Sequence, residues 1–153
     1  MSLEIRVTDP RLPEIKQAVA DQQAEAFERL ADAPDFTLDA NELAAPDITV
    51  WEGRIDGQLA GMVALKALKA GRGEIKAMRT MPALRGRGIG KDMLAHVIAE
   101  ARSRGYVAVV LETGSGDGYA SARGVYERAG FVITGPFDDY PDVETSVYMR
   151  LDL

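Results

Sequence analysis

The sequence predicts an α/β (α+β) domain on a mixed central sheet of about six to seven strands, flanked by helices. Residues 48–81 read as three strands parted by two glycine turn signals, the pattern of an antiparallel N-terminal meander. A glycine-rich turn at 86–90 then opens an amphipathic helix. The nearly continuous apolar run Tyr106 to Leu111 follows, as a strand buried on both faces requires. Strand, helix and strand in this order need a right-handed crossover and a parallel pair around the helix.

Each element follows from its residues. Leu3, Ile5 and Val7 alternate with polar neighbours and form a short strand, which Asp9-Pro10 breaks. Ile15, Ala18, Val19, Gln22, Ala26 and Leu30 recur near helical spacing, so a helix spans about Pro13 to Leu30. Ala31 to Asp47, with two prolines and several acidic residues, reads as a loop with one short helical turn at Leu38 to Leu43. Ile48 to Ile55 and Gln58 to Leu68 are two arms of a hairpin turned at Asp56-Gly57. After a turn at Gly71-Arg72-Gly73, Glu74 to Met81 is the third arm, and Pro82 ends it. Gly88 to Arg104 is a helix whose apolar face is Ile89, Met93, Leu94, Val97, Ile98 and Ala101, and Gly105 caps it. Ala120 to Ala129 is a last helix capped by Gly130, before strands at Phe131 to Thr134 and Ser146 to Leu151.

The 153 residues fit one domain, 1–153, and composition is near the globular average, with 46% apolar and 27% charged residues. The chain has no cysteine, which excludes disulfides, thiolate metal sites and a cysteine nucleophile. With His96 the one histidine, an imidazole-built metal site is not expected. The N-terminus shows no signal peptide and no stretch approaches a membrane span, so a cytoplasmic protein without a membrane partner is expected. A net charge of −6 argues against nucleic acid as a partner, because phosphate neutralisation drives that affinity.

The segment Arg85-Gly86-Arg87-Gly88-Ile89-Gly90-Lys91 carries the functional signal. A glycine turn that opens a helix points backbone N–H groups into one concavity at the positive end of the helix dipole, which suits a phosphate. Arg85, Arg87 and Lys91 add positive charge against the acidic trend of the chain. A P-loop is excluded by Arg85 where a glycine is needed and by Asp92 after the lysine. The dinucleotide fingerprint fails at Met93.

Arg85-x-x-Gly88-x-Gly90 after a strand resembles the acyl-CoA-binding motif of the GNAT superfamily of N-acetyltransferases. Met78-Arg79-Thr80-Met81-Pro82 resembles the family's approach to that motif. Ala122 to Phe131, with an alanine, then Tyr126, then Gly130-Phe131, resembles its second signature. Tyr119 departs from it, standing where many members carry asparagine. The resemblance implies transfer of an acetyl group from acetyl-CoA to a primary amine by direct attack in a ternary complex, without a metal. It implies a small-molecule or peptide amine as acceptor, and homodimers are common in the family. It places the pyrophosphate on Arg85, Gly86, Arg87, Gly88, Ile89, Gly90 and Lys91, and the carbonyl oxygen and pantetheine against the backbone of Met78 and Thr80.

By the same resemblance Tyr126 is the general acid near the sulfur, since a phenol can protonate a developing thiolate. Glu74 is the general base, at the distance before the motif where histone-acetylating members carry a glutamate. Trp51, Arg79 and Tyr140 are candidates for lining the acceptor pocket. The acidic stretch 138–142 is a candidate for selecting a cationic amine. His96 is expected at the surface. The alternative class is a non-catalytic acyl-CoA-binding or regulatory module on the same fold, against which Glu74 and Tyr126 stand.

Overall fold

The computed structural model describes residues 2–30 and 33–153; Ala31 and Asp32, the start of the stretch read as a loop, lie outside the described residues. Seven strands form one sheet in the order β1-β2-β3-β4-β5-β7-β6. β1 (Glu4–Thr8), β2 (Ile48–Ile55), β3 (Gln58–Ala67) and β4 (Arg72–Thr80) are an antiparallel run. β4 and β5 (Ala108–Gly114) are parallel, and β7 (Ser146–Asp152) lies antiparallel between β5 and β6 (Val132–Thr134). The β2–β3 hairpin turns on Asp56 and Gly57, both at positive φ (50° and 79°), as a two-residue turn matched to strand twist requires.

Among the described residues four α-helices cover the sheet: α1 (Pro13–Leu30), α2 (Ala40–Leu43), α3 (Ile89–Ser103) and α4 (Ala120–Arg128). On one face, Ile89, Met93, Leu94, Val97 and Ala101 of α3 are buried against Trp51, Val63, Leu65, Ile75, Val109 and Leu111. Gly53 lets α3 lie close: a Cβ there would stand 2.6 Å from Met93 Sδ. On the other face, Ile15, Ala18 and Val19 of α1 and Leu43 of α2 meet Val50, Leu59, Met62 and Ala64. The α2 turn starts two residues later than the sequence suggests, because Asp39 and Glu42 close a capping box at its N-terminus.

Two features of β4 place the site. Between Ala64↔Lys76 and Met62↔Arg79 the strand carries one residue more than β3, so it bulges, with Ala77 at φ 53°. A left-handed alanine costs about 1–2 kcal/mol, and the pairing on either side of the bulge holds it. The parallel pairing of β4 with β5 also stops at Ile75↔Leu111. Past that point β5 pairs only with β7, through Gly114↔Ser146, and the two parallel strands part.

β5 runs from Ala108 to Gly114 rather than from Tyr106 to Leu111. The apolar run marks only where β5 is buried on both faces; its polar end is held in the sheet by β7. Tyr106 and Val107 belong instead to the turn before it, where Val107 N–H bonds Gly71 C=O at 2.7 Å. His96 is half-buried rather than at the surface, its ring edge-on to Trp51 at 5.6 Å. Trp51 itself is 3% exposed in the core beneath α3.

Candidate functional site

The parting of β4 and β5 opens a cleft of about 1280 Å³. One end is the glycine turn into α3. Leu84 is buried and anchors its start. Gly86 and Gly88 hold φ of 82° and 79°, a region closed to most side chains. Gly88 is the N-cap of α3 and has no side chain to cap with. The first N–H groups of the helix therefore have neither a side-chain nor an intrahelical acceptor, and their dipole faces the cleft. Arg85, Gly86, Gly88, Ile89, Gly90 and Lys91 all line this end. Arg87, between them in sequence, is exposed and does not.

Met78 and Thr80 line the middle of the cleft with Ala77 and Arg79. The register gives Ala77 and Met78 no partner on β3, which leaves bulge backbone turned to other uses. α1 takes one of these groups: Gln22 Nε2 donates to Met78 C=O at 2.9 Å. One turn later Glu25 receives both terminal nitrogens of Arg79, at 2.9 and 3.1 Å. This pairing holds the Glu25 carboxyl below the usual range. Arg79, 7% exposed, thus ties α1 to the bulge. Arg85 of the glycine turn lies 3.7 Å from the same carboxylate.

Tyr126 of α4 lines the opposite wall, 6% exposed and edge-on to Phe131 at 5.8 Å. Burial, then the negative charge of Glu112, pushes its phenol far up, so the hydroxyl keeps its proton at neutral pH. The β5–α4 turn below it is fixed by Arg123 Nη1, which donates to the carbonyls of Gly114 (2.6 Å) and Gly116 (2.9 Å). The Tyr119 ring packs against Gly114, where a Cβ would overlap it. Tyr119 therefore forms part of the cleft wall with its ring.

The structure separates the two glutamates of this region. Glu74, 4% exposed, does not line the cleft. Its Oε2 accepts from the Tyr140 hydroxyl at 2.5 Å and from Lys76 Nζ at 3.1 Å, and Lys76 also reaches the Tyr140 oxygen at 2.8 Å. Glu112 does line the cleft, one residue past the last β4–β5 pair and across the opening from Lys76. It accepts from Ser146 Oγ at 2.7 Å, and burial raises its carboxyl above the usual range.

Sequence reasoning missed Glu112 because it ended β5 at Leu111. The available signal was a lone carboxylate closing an apolar strand before Thr113-Gly114. Phe36 was missed too: it lines the cleft from the loop after α1 and packs edge-on to Tyr140 at 5.1 Å. Tyr140 stands behind that wall. Of the acidic stretch, Asp138 is engaged by Arg72 at 2.7 Å.

A basic glycine turn at a helix N-terminus, a bulged strand parted from its parallel neighbour, and a buried tyrosine facing the gap can hold a thioester between phosphate anchor and acid. Residues 14–131 match the model of the acetyltransferase (GNAT) family. The chain is 43% identical over 116 residues to YsnE of Bacillus subtilis, an uncharacterized N-acetyltransferase, covering 76% of this chain and 77% of that one. A Klebsiella pneumoniae protein provisionally named an acyl-CoA N-acyltransferase superposes with a TM-score of 0.81 at 25% identity, covering 99% of this chain and 97% of that one. A Bacillus subtilis acetyltransferase solved in complex with CoA shares the fold, with a TM-score of 0.72 at 17% identity over 99% of both chains. With more than two thirds of its length matched by the family model, the chain belongs to the acetyltransferase (GNAT) family.

Proposed function

We propose that this acetyltransferase moves the acetyl group of acetyl-CoA onto a primary amine by direct attack within a ternary complex. The observation that carries this is the placement of Tyr126 and Glu112 on the walls of one cleft whose far end is the basic glycine turn. The pyrophosphate lies on the N–H groups of residues 86–91, flanked by Arg85 and Lys91. The pantetheine runs along the bulge at Met78 and Thr80, in the manner of an added strand, and the thioester reaches the gap between β4 and β5. The amine nitrogen attacks the thioester carbon, the C–S bond breaks, and the sulfur leaves with the proton of the Tyr126 hydroxyl.

The acceptor's proton has to go to a base, because an amine of pKa about 10 arrives mostly charged at neutral pH. The sequence pointed to Glu74. Glu112 fits that task better, since it lines the cleft where Glu74 does not, and a raised carboxyl sits closer to the operating pH of a general base. Glu74 then acts from behind, holding Lys76 and Tyr140 in place.

The reading is tested by following CoA release over a panel of amines, with the acetylated product identified by mass. Turnover with at least one primary amine is expected, and none with any member would leave the acyl-CoA-binding module as the better description. With the best amine, Glu112→Gln is expected to lower kcat/KM about 10- to 100-fold near pH 7 and progressively less towards pH 10. Glu74→Gln is expected to give a smaller, pH-independent loss. The reverse pattern would return the base to Glu74.

A further inference from the structure

Among the cations of the cleft, Arg29 stands against the wall of a second pocket and has no part in this scheme. Arg29, in the last turn of α1, lines the cleft and also an adjoining pocket of about 230 Å³. That pocket is walled by Ser115, Gly116, Asp117, Gly118, Tyr119 and Thr145. These belong to the β5–α4 turn and the approach to β7, and the pocket includes nothing of the phosphate turn. The guanidinium is held there: its carbon stands 5.2 Å from the centre of the Tyr119 ring, and its Nε would be 3.1 Å from a Cβ at Gly118.

Two other cations of the cleft are committed. Lys76 is bonded to Glu74 and Tyr140, and Arg79 gives its fork to Glu25. Among the described residues no carboxylate lies within 4 Å of Arg29. The Tyr119 phenol feels the positive charge of Arg29 and the negative charges of Glu112 and Asp35, and both carboxylate residues line the same cleft. The cleft thus holds the Arg29 guanidinium over the Tyr119 ring, with Glu112 and Asp35 in the same lining and Asp117 in the adjoining pocket.

From this juxtaposition we propose that Arg29 receives a carboxylate of the acceptor, so that the substrate class is amino acids, with the amine turned to Glu112 and the carboxylate to Arg29. The proposal rests on the acetyl-transfer reading above. A guanidinium fork matches a carboxylate in two parallel bonds, and stacking on an aromatic face holds the fork in plane. An acceptor whose two charges meet both partners is bound in one orientation, with its nitrogen towards the thioester. A neutral or singly charged amine leaves the Arg29 side unanswered.

The test compares free amino acids with their own carboxamides, in the wild type and in Arg29→Gln and Arg29→Lys. Arg29 lies on the exposed side of α1, away from both buried clusters, so both variants are expected to fold. The wild type is expected to favour the acids over the carboxamides by roughly 10- to 100-fold in kcat/KM, the range of a charge-assisted pair. Arg29→Gln is expected to bring that ratio close to one, and Arg29→Lys to restore part of it. The dissociation constant for acetyl-CoA, measured by calorimetry, is expected to stay unchanged. A wild type without preference for the acids, an equal loss on acids and carboxamides, or weakened acetyl-CoA binding in Arg29→Gln would each overturn the proposal; the last would make Arg29 a phosphate ligand. A wild type that releases CoA with none of the acids, carboxamides or other primary amines would overturn the acetyl-transfer reading itself, a result distinct from these.

Discussion

Gly90→Glu is expected to weaken acetyl-CoA binding by roughly a thousandfold while the protein still folds. Two like charges about 4 Å apart near a protein surface repel by about 4 kcal/mol, and the substitution puts a carboxylate at the helix N-terminus proposed to hold the pyrophosphate. Gly90 suits the experiment better than its neighbours. It lies within α3 in the right-handed region, and a Cβ there makes ordinary contacts, 3.5 Å from Thr80 Oγ1 and 3.9 Å from Met78 Cε. Gly86 and Gly88 hold positive φ, so any side chain there adds backbone strain to the effect of charge. Gly90→Ala separates size from charge and, by helix propensity, is expected to stabilise α3 by up to about 1 kcal/mol. Calorimetric titration with CoA and a thermal melt check both variants. Unchanged affinity in a folded Gly90→Glu protein would remove the pyrophosphate from this turn.

Tyr126→Phe is expected to lower kcat about 10- to 1000-fold, within the range for loss of a general acid partly replaced by water. The ring is kept, so its packing on Phe131 and the core below α3 should survive. The phenol loses its proton only far above neutral pH, through burial and the nearby charge of Glu112. The donor is therefore fully protonated at pH 7 and stays so as pH rises through the ordinary tyrosine range near 10. Hence the defect is expected to hold across pH 7 to 9, unlike that of Glu112→Gln. Single-turnover rates with saturating acetyl-CoA make the comparison; a wild-type rate would leave Tyr126 as packing.

Most of the fold was legible because its elements carry strong local patterns. The apolar stripe of α3, the Asp56-Gly57 turn and the continuous run of β5 each follow from a single physical rule. The glycine turn was legible for the same reason, since φ above zero at Gly86 and Gly88 admits little else. What failed were properties set by neighbours distant in sequence. The end of β5 is decided by pairing with β7, more than thirty residues on, so Glu112 went unseen. The bulge at Ala77 depends on a register mismatch with β3, and no glycine marks it. Glu74 stood at a plausible place on β4, but which way its carboxylate turns depends on Lys76 and on Tyr140 from the loop before β7. Arg87 shows the limit of charge counting: it shares a motif with Arg85 and Lys91, yet the turn directs it away from the cleft.

A crystal structure with acetyl-CoA bound tests the central claim most directly. Pyrophosphate oxygens are expected to accept hydrogen bonds from the N–H groups of residues 86–91. The pantetheine is expected beside Met78 and Thr80, and the thioester sulfur within about 3.5 Å of the Tyr126 hydroxyl, in the gap where β4 and β5 part. A cofactor whose pyrophosphate lies away from that turn, or whose sulfur points out of the gap and away from Tyr126, would contradict it.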